Sequence, residues 1–223
     1  MSHSVASALI PNGLLFVASD VDAADEPDFN RWYDREHVEE RVRIPGFLSG
    51  ARYVSRQGGR KYLGLYRTDS LAAFSTAGYR AAFERQTPWS VANLDRMRDP
   101  MRRVCAVEAV TGFGSGSQLA VLTLPAVEHA EDCIAKAREL GLALAEADGF
   151  VQSYLLVPDT KLSTPLPRES TEQRILAPLF VVEASTESAA QALCDRAAGA
   201  FATNAANAWL LELGWKLHAS DLR

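Results

Sequence analysis

The chain passes twice from a helical stretch into an apolar strand through a glycine-phenylalanine turn, at Pro45-Gly46-Phe47 and again at Asp148-Gly149-Phe150. A glycine just past a helix end allows the left-handed backbone that stops the helix, so each turn marks a helix-to-strand junction. The same order of elements is predicted around both: strand, helix, strand, strand, helix, strand. In the first half Leu14 to Asp20 is a short apolar strand, and Pro27 opens a helix running to about Arg43. Phe47 to Arg56 and Lys61 to Thr68 then pair through the hairpin turn Gln57-Gly58-Gly59. Asp69-Ser70 caps a helical region broken at Gly78-Tyr79 and at Thr87-Pro88-Trp89-Ser90, where Ser90 caps a last short helix, and Arg102 to Val110 is the fourth strand.

The stretch Thr111 to Ser117 is rich in glycine and serine and is the best internal boundary. After it, strands are predicted at Leu119 to Leu124, Val151 to Val157, Arg174 to Glu183 and Trp209 to His218, with helices at Glu128 to Ala145 and Glu187 to Ala202. Pro158 to Gln173 is a long polar loop, a kind of segment that often carries function. Two βαββαβ units are the ferredoxin-like α+β motif used in tandem. The expected division is residues 1–112, a linker at 113–118, and 119–223. Each antiparallel sheet has helices on one face and leaves the other to be covered, so the two sheets are expected to cover one another, with Leu63 and Leu65 on one side and Trp215 on the other.

Composition excludes several classes of function. The 223 residues are 48% apolar and 23% charged with a formal net charge of -5, which fits an ordinary globular protein and gives no basic footprint for nucleic acid. No apolar run reaches the roughly 20 residues that span a bilayer, and Pro11-Asn12-Gly13 interrupts the apolar start in a way unlike a signal peptide. Cys105, Cys133 and Cys194 are too few and too scattered for a disulfide framework or a thiolate metal site. They are read as reduced, buried residues of a cytoplasmic protein.

The chemistry is concentrated in Trp32-Tyr33-Asp34-Arg35-Glu36-His37. On a helix, residues three, four, seven or eight apart share a side, which places Phe29, Trp32, Tyr33, Glu36, His37, Glu40 and Ile44 on one broad face, apolar at its ends and ionisable in its middle. Burying such a face requires partners for its polar groups, since each unpaired one costs about 1–3 kcal/mol. Arg35, Arg41 and Arg43 flank Glu36 and Glu40, so solvated helix ion pairs are the expectation there. His3 falls in the terminal stretch, and His129 and His218 are expected at the surface. Trp32, Tyr62 and Tyr66 also have a plain reading as core aromatics, and His37 one as a satisfied structural hydrogen-bond donor.

The pattern Trp32-Tyr33-x-x-x-His37, followed by Pro45-Gly46-Phe47 and Arg52-Tyr53, resembles the EthD-like branch of the dimeric α/β-barrel superfamily, in which two ferredoxin-like units pack their sheets into a barrel. Here both units lie in one chain, an intramolecular pseudo-dimer that allows but does not require a homodimer. The second unit lacks the motif, because Leu140 falls opposite His37 and Lys136 opposite Tyr33. The resemblance implies one small-molecule pocket, in the first half, between helix and sheet. Tyr62, Gly64 and Tyr66 alternate onto one strand face and suit its wall. Arg52 and Tyr53 point to opposite faces, so parity admits one of them, and Tyr79 and Trp89 stand at the mouth. The expected roles are catalytic for His37, Tyr33 and Glu36, and substrate-binding for Trp32, Arg52, Tyr53, Tyr62, Tyr66 and Trp89. The reading is cofactor-independent, metal-free proton transfer by His37 on a small carbonyl or aromatic compound, as in an isomerase, cyclase, decarboxylase or dehydratase. The alternatives are a non-catalytic binding or structural barrel, and a haem-binding barrel with His37 as axial ligand.

Overall fold

The computed structural model describes residues 12–125 and 130–223. The expectations for the start of the chain, for His3, for His129 and for the first residues of the helix predicted from Glu128 lie outside them. The first half runs β1 (Gly13–Asp20), α1 (Glu26–Trp32), a π turn (Tyr33–His37), α2 (Val38–Val42), β2 (Phe47–Gln57), β3 (Tyr62–Thr68), a 3-10 turn (Leu71–Ser75), α3 (Ala77–Glu84), α4 (Pro88–Asp95) and β4 (Arg98–Gly112). The second runs β5 (Gln118–Thr123), α5 (Ala130–Ala145), β6 (Phe150–Pro158), β7 (Leu179–Ala184), α6 (Glu187–Phe201) and β8 (Trp209–His218).

The two glycine turns are built alike. Gly46 has φ +92° and Gly149 φ +79°, the left-handed region that a side chain resists. Phe47 N–H donates to Ile44 O, and Phe150 N–H donates to Ala147 O. In each half the glycine carbonyl also accepts from the residue that follows the third strand, Asp69 at 2.9 Å and Ser185 at 2.9 Å. These turns deliver the second strand of each half back onto its sheet.

The eight strands close into a barrel in the order β1-β3-β2-β8-β5-β7-β6-β4, with β4 returning to β1. Every pairing is antiparallel. The halves therefore cover each other's open faces and also join edge to edge, through β2–β8 and β4–β6, which leaves no strand edge unpaired. Period-two alternation sends Leu14, Phe16, Leu63, Leu65, Val121 and Val181 into the barrel, while Tyr62, Tyr66 and Val104 face the first-half helices. A separate cluster beneath α5 and α6 includes Ala137, Leu144, Phe180 and Cys194.

Several elements depart from the sequence pattern for identifiable reasons. Residues 174–178 are not strand, because Arg174 turns back to pair with Glu169. β4 begins at Arg98, earlier than expected, pairing there with Asp20 of β1. Thr87, not Ser90, caps α4, its hydroxyl accepting from Ser90 N–H. Trp215 lies outside the barrel: the β2–β8 register shifts between Arg52 and Tyr53, skipping Gly214, so Trp215 sits opposite Arg52 on the helix side and Trp209 takes an interior place. Among the described residues no helix is long and apolar enough to cross a membrane.

Candidate functional site

The helix that carries the motif widens where the motif lies. From Tyr33 to His37 it is a π turn, with Val38 N–H donating to Tyr33 O five residues back. Such single-turn widenings occur frequently at functional sites. The wider turn brings Trp32 and His37 together, ring centroids 4.2 Å apart, with Tyr33 at 5.0 Å and Tyr66 at 6.1 Å from His37. Trp32 and Tyr66 are fully buried, and His37 is 5% exposed.

Glycine 64 makes the meeting of the two tyrosines possible. A Cβ at that position would stand 3.4 Å from Tyr66 Oη and 3.6 Å from Tyr33 Oη, so both hydroxyls point at the bare backbone of β3. Burial raises the pKa of Tyr33 and lifts that of Tyr66 well above the phenol range, which keeps both protonated as donors. Burial, and after it the charges of Arg41 and Arg52, hold the His37 imidazole well below its ordinary value. His37 is thus a neutral ring at pH 7.

Four buried polar atoms in this cluster have no hydrogen-bond partner of acceptable geometry: His37 Nδ1, Arg41 Nη1, Arg52 Nε and Tyr66 Oη, whose hydroxyl faces that of Tyr33. Arg41, expected in a solvated ion pair, is 4% exposed and lies over the ring of Phe83, 4.8 Å from its centroid. The exposed pairs along this helix are Arg31 with Asp28, at 3.0 Å, and Arg43 with Glu39, at 2.8 Å. Arg52 is likewise buried. Its guanidinium packs over Tyr33 at 4.5 Å and Tyr62 at 4.8 Å, and it donates to the Asn30 side chain and to Asp34 Oδ1, which also accepts from Trp215 Nε1 at 2.8 Å.

The structure gathers Trp32, Tyr33, His37, Arg52, Tyr62 and Tyr66 on the helix side of the first-half sheet. Tyr53 is a correction. It points into the barrel with Leu63 and Leu65, because neighbouring strand residues face opposite ways and Arg52 takes the helix side. Glu36 does not orient His37; its Oε1 accepts from Thr87 Oγ1 at 2.6 Å and Ser90 Oγ at 2.9 Å, tying α4 to the π turn. Trp89 serves the same junction, its Nε1 donating to Asp28 at 3.1 Å. That bond, with those from Arg31, Arg96 and Asn93, lowers the Asp28 carboxyl to about 2. Tyr62 donates to Glu26. Sequence reasoning gave no site role to Asn30, Arg41, Ser90 or Phe83. A basic residue four positions after the histidine, on its own helix face, was the available signal for Arg41.

Two clefts open beside this cluster. One, of about 380 Å³, is lined by residues that include Phe83, Val91, Leu94, Met97, Leu166 and Pro167. The next, of about 410 Å³, shares Phe83, Leu166 and Pro167 and adds Tyr79, Arg102 and Leu162. Their outer wall is the segment 159–178, reaching back from the second half. It is fixed by Glu169, which accepts from Arg103 and from Arg174 Nε at 2.7 Å, and by Ser163 Oγ, which bonds both N–H and carbonyl of Val104.

No protein-family model matches the chain, and no curated protein sequence matches it. Solved structures do. An anthrone oxidase-like protein superposes with a TM-score of 0.62 at 9% identity, covering 94% of this chain and 93% of its own. A chlorite dismutase variant from Candidatus Nitrospira defluvii gives 0.52 at 12% identity, covering 92% of each chain. A protein provisionally assigned as a monooxygenase from Fusobacterium nucleatum gives 0.55 at 8% identity, covering 94% of this chain and 95% of its own. At such identities the likeness is one of fold: an α+β barrel of two ferredoxin-like sheets.

Proposed function

We propose that the chain is a small-molecule enzyme that moves a proton at His37 on a small carbonyl or aromatic compound. The observation that carries this reading is the set of unpartnered buried polar atoms in and around the π turn, among them His37 Nδ1, Arg41 Nη1 one turn further on and Tyr66 Oη on the facing strand. Each costs about 1–3 kcal/mol in a folded protein, and a ligand oxygen and its proton would satisfy all three. The names of the structural neighbours point to different reactions, so fold does not choose the chemistry; the residues must.

For a ketone with an acidic α-hydrogen, neutral His37 accepts the proton, the C–H electron pair moves into the enolate, and the negative oxygen is met by Arg41 and the Tyr66 hydroxyl. Returning the proton to the same carbon completes an exchange, and returning it to the γ-carbon of a β,γ-unsaturated ketone completes an isomerisation, with no redox partner in either case. Burial, and after it the charges of Arg41 and Arg52, make His37 a weak base, and an oxyanion forming beside Arg41 would offset part of that charge and strengthen the base as the reaction proceeds. Haem on His37 does not fit these residues. Trp32 lies against the imidazole at 4.2 Å with the ring planes tilted by 35°, and Tyr33 and Tyr66 meet it edge-on, so a macrocycle would have to displace all three.

Within the barrel superfamily, the Trp32-Tyr33-x-x-x-His37 motif supports an EthD-like affiliation, and the matching Gly46 and Gly149 turns support a tandem duplication with units at 1–112 and 119–223. The buried free thiols of Cys105, Cys133 and Cys194 suit a reducing, cytoplasmic setting. The test is deuterium exchange at the α-carbons of 2-tetralone in D2O. The wild-type chain should accelerate it over buffer and His37→Leu should not; exchange equal to buffer, or equal in the two proteins, would leave a binding or structural barrel as the better reading.

A further inference from the structure

The two adjoining clefts outside the His37 cluster have unequal walls. The 159–178 wall is fixed by the buried Glu169 node with Arg103 and Arg174. The opposite wall is α3, two helical turns capped by Thr76, and from it Phe83 stands 39% exposed. One face of Phe83 looks into both clefts; against it lies the Arg41 guanidinium, one turn after His37. This one side chain therefore touches both solvent-accessible apolar space and a buried cation whose Nη1 has no partner.

We infer that this cleft is the entry vestibule of the His37 site, that Phe83 is its gate, and that the molecule admitted is flat and apolar with one negatively charged oxygen. The inference rests on the proposed function for what lies behind the gate. Both volumes fall within the range of small-molecule sites. Val91, Leu94, Met97, Leu166 and Pro167 of the first cleft select an apolar body. The guanidinium selects an anionic oxygen, because a charge-assisted bond to its Nη1 would replace its present contact with the Phe83 ring. A rotamer change of one half-exposed side chain is a fast event, and it uncovers Arg41 without moving the fixed wall.

The test compares 2-naphthoate with its neutral isostere 2-naphthamide, by equilibrium titration and stopped-flow fluorescence on the full chain. The wild type should bind naphthoate at least about 10-fold more tightly. Arg41→Met should weaken naphthoate by about 10- to 100-fold, the worth of one charge-assisted bond, and leave naphthamide unchanged, while Arg41→Lys keeps part of the preference. Phe83→Ala should raise the association rate of both probes several-fold and Phe83→Trp should lower it. Equal affinity of the wild type for the two probes, or association rates indifferent to Phe83, overturns the inference even if Arg41→Met fails to fold. Tetralone exchange that ignores His37, beside an Arg41-dependent naphthoate preference, overturns the functional reading and supports the vestibule; the reverse pattern overturns the vestibule alone.

Discussion

His37 and Trp32 stand with ring centroids 4.2 Å apart although five residues separate them. On a regular α-helix five residues advance about 500°, leaving two side chains roughly 140° apart; the π turn removes that offset. Trp32 is held from the far side by its Nε1 bond to Ser90 Oγ at 3.0 Å, and the same hydroxyl donates to Glu36. Ser90→Ala should therefore lower stability by about 1–3 kcal/mol, because it leaves the indole N–H buried without an acceptor. The urea midpoint should fall at unchanged slope, and an unchanged midpoint would show that this tie does not hold the indole.

Gly64→Ala should destabilise, against the usual gain from removing a glycine inside a strand. The added Cβ would lie 3.1 Å from Tyr66 Cε2 and 3.4 Å from Tyr66 Oη, tighter than ordinary packing, and overpacking of this kind costs about 1–3 kcal/mol. Thermal unfolding reads the loss. A melting temperature equal to or above that of the wild type would mean that the tyrosine pair yields freely.

Stability should fall with acid in a window that belongs to His37. Its folded pKa lies well below the ordinary imidazole value of 6.5, so below about pH 6.5 the unfolded chain takes up a proton that the folded chain refuses. The contribution is fully present above that value and is lost as pH falls toward the folded pKa. The carboxylates with lowered pKa values, Glu26, Asp28 and Glu169, act further down, below about 4.5. Urea unfolding of wild type and His37→Leu at a series of pH values checks this: the difference between them should change from pH 7 to pH 5, with the wild type losing more. Parallel curves would contradict the burial of a neutral imidazole.

Glu169→Gln should loosen the wall of the cleft. Glu169 is 9% exposed and answers the buried Arg103 and the part-buried Arg174 guanidinium groups, and breaking a buried ion pair from one side costs about 3–5 kcal/mol. Limited proteolysis should then cut within 159–178 before the barrel unfolds. If the barrel and the segment were lost together, the segment would be part of the cooperative core.

Much of the architecture was legible because it depends on local rules. The glycine turns at Gly46 and Gly149 and the strand from Trp209 to His218 stand where the pattern puts them. The alternation of Tyr62, Gly64 and Tyr66 against Leu63 and Leu65 also holds. What the sequence hid was set by distant partners. A π turn has no signature in 3.6-residue spacing. Arg174 reads as the start of a strand until Glu169 is known to be beside it. Arg41 reads as a solvated charge until Phe83 arrives from another helix. Of the candidate site, the Trp32, Tyr33, His37 and Tyr66 cluster followed from one helix face and one strand face, whereas the diversion of Glu36 to Thr87 and Ser90 required the fold of α4.

The central claim is that His37 is kept for a ligand and not for the fold, and the unfolding free energy of His37→Leu at pH 7 tests it most directly. Leucine fills a similar volume and removes a buried nitrogen that has no partner, so the variant should be as stable as the wild type or more stable, by up to about 1–3 kcal/mol. A loss of more than about 2 kcal/mol would contradict the account, since it would show that the imidazole makes bonds the fold depends on.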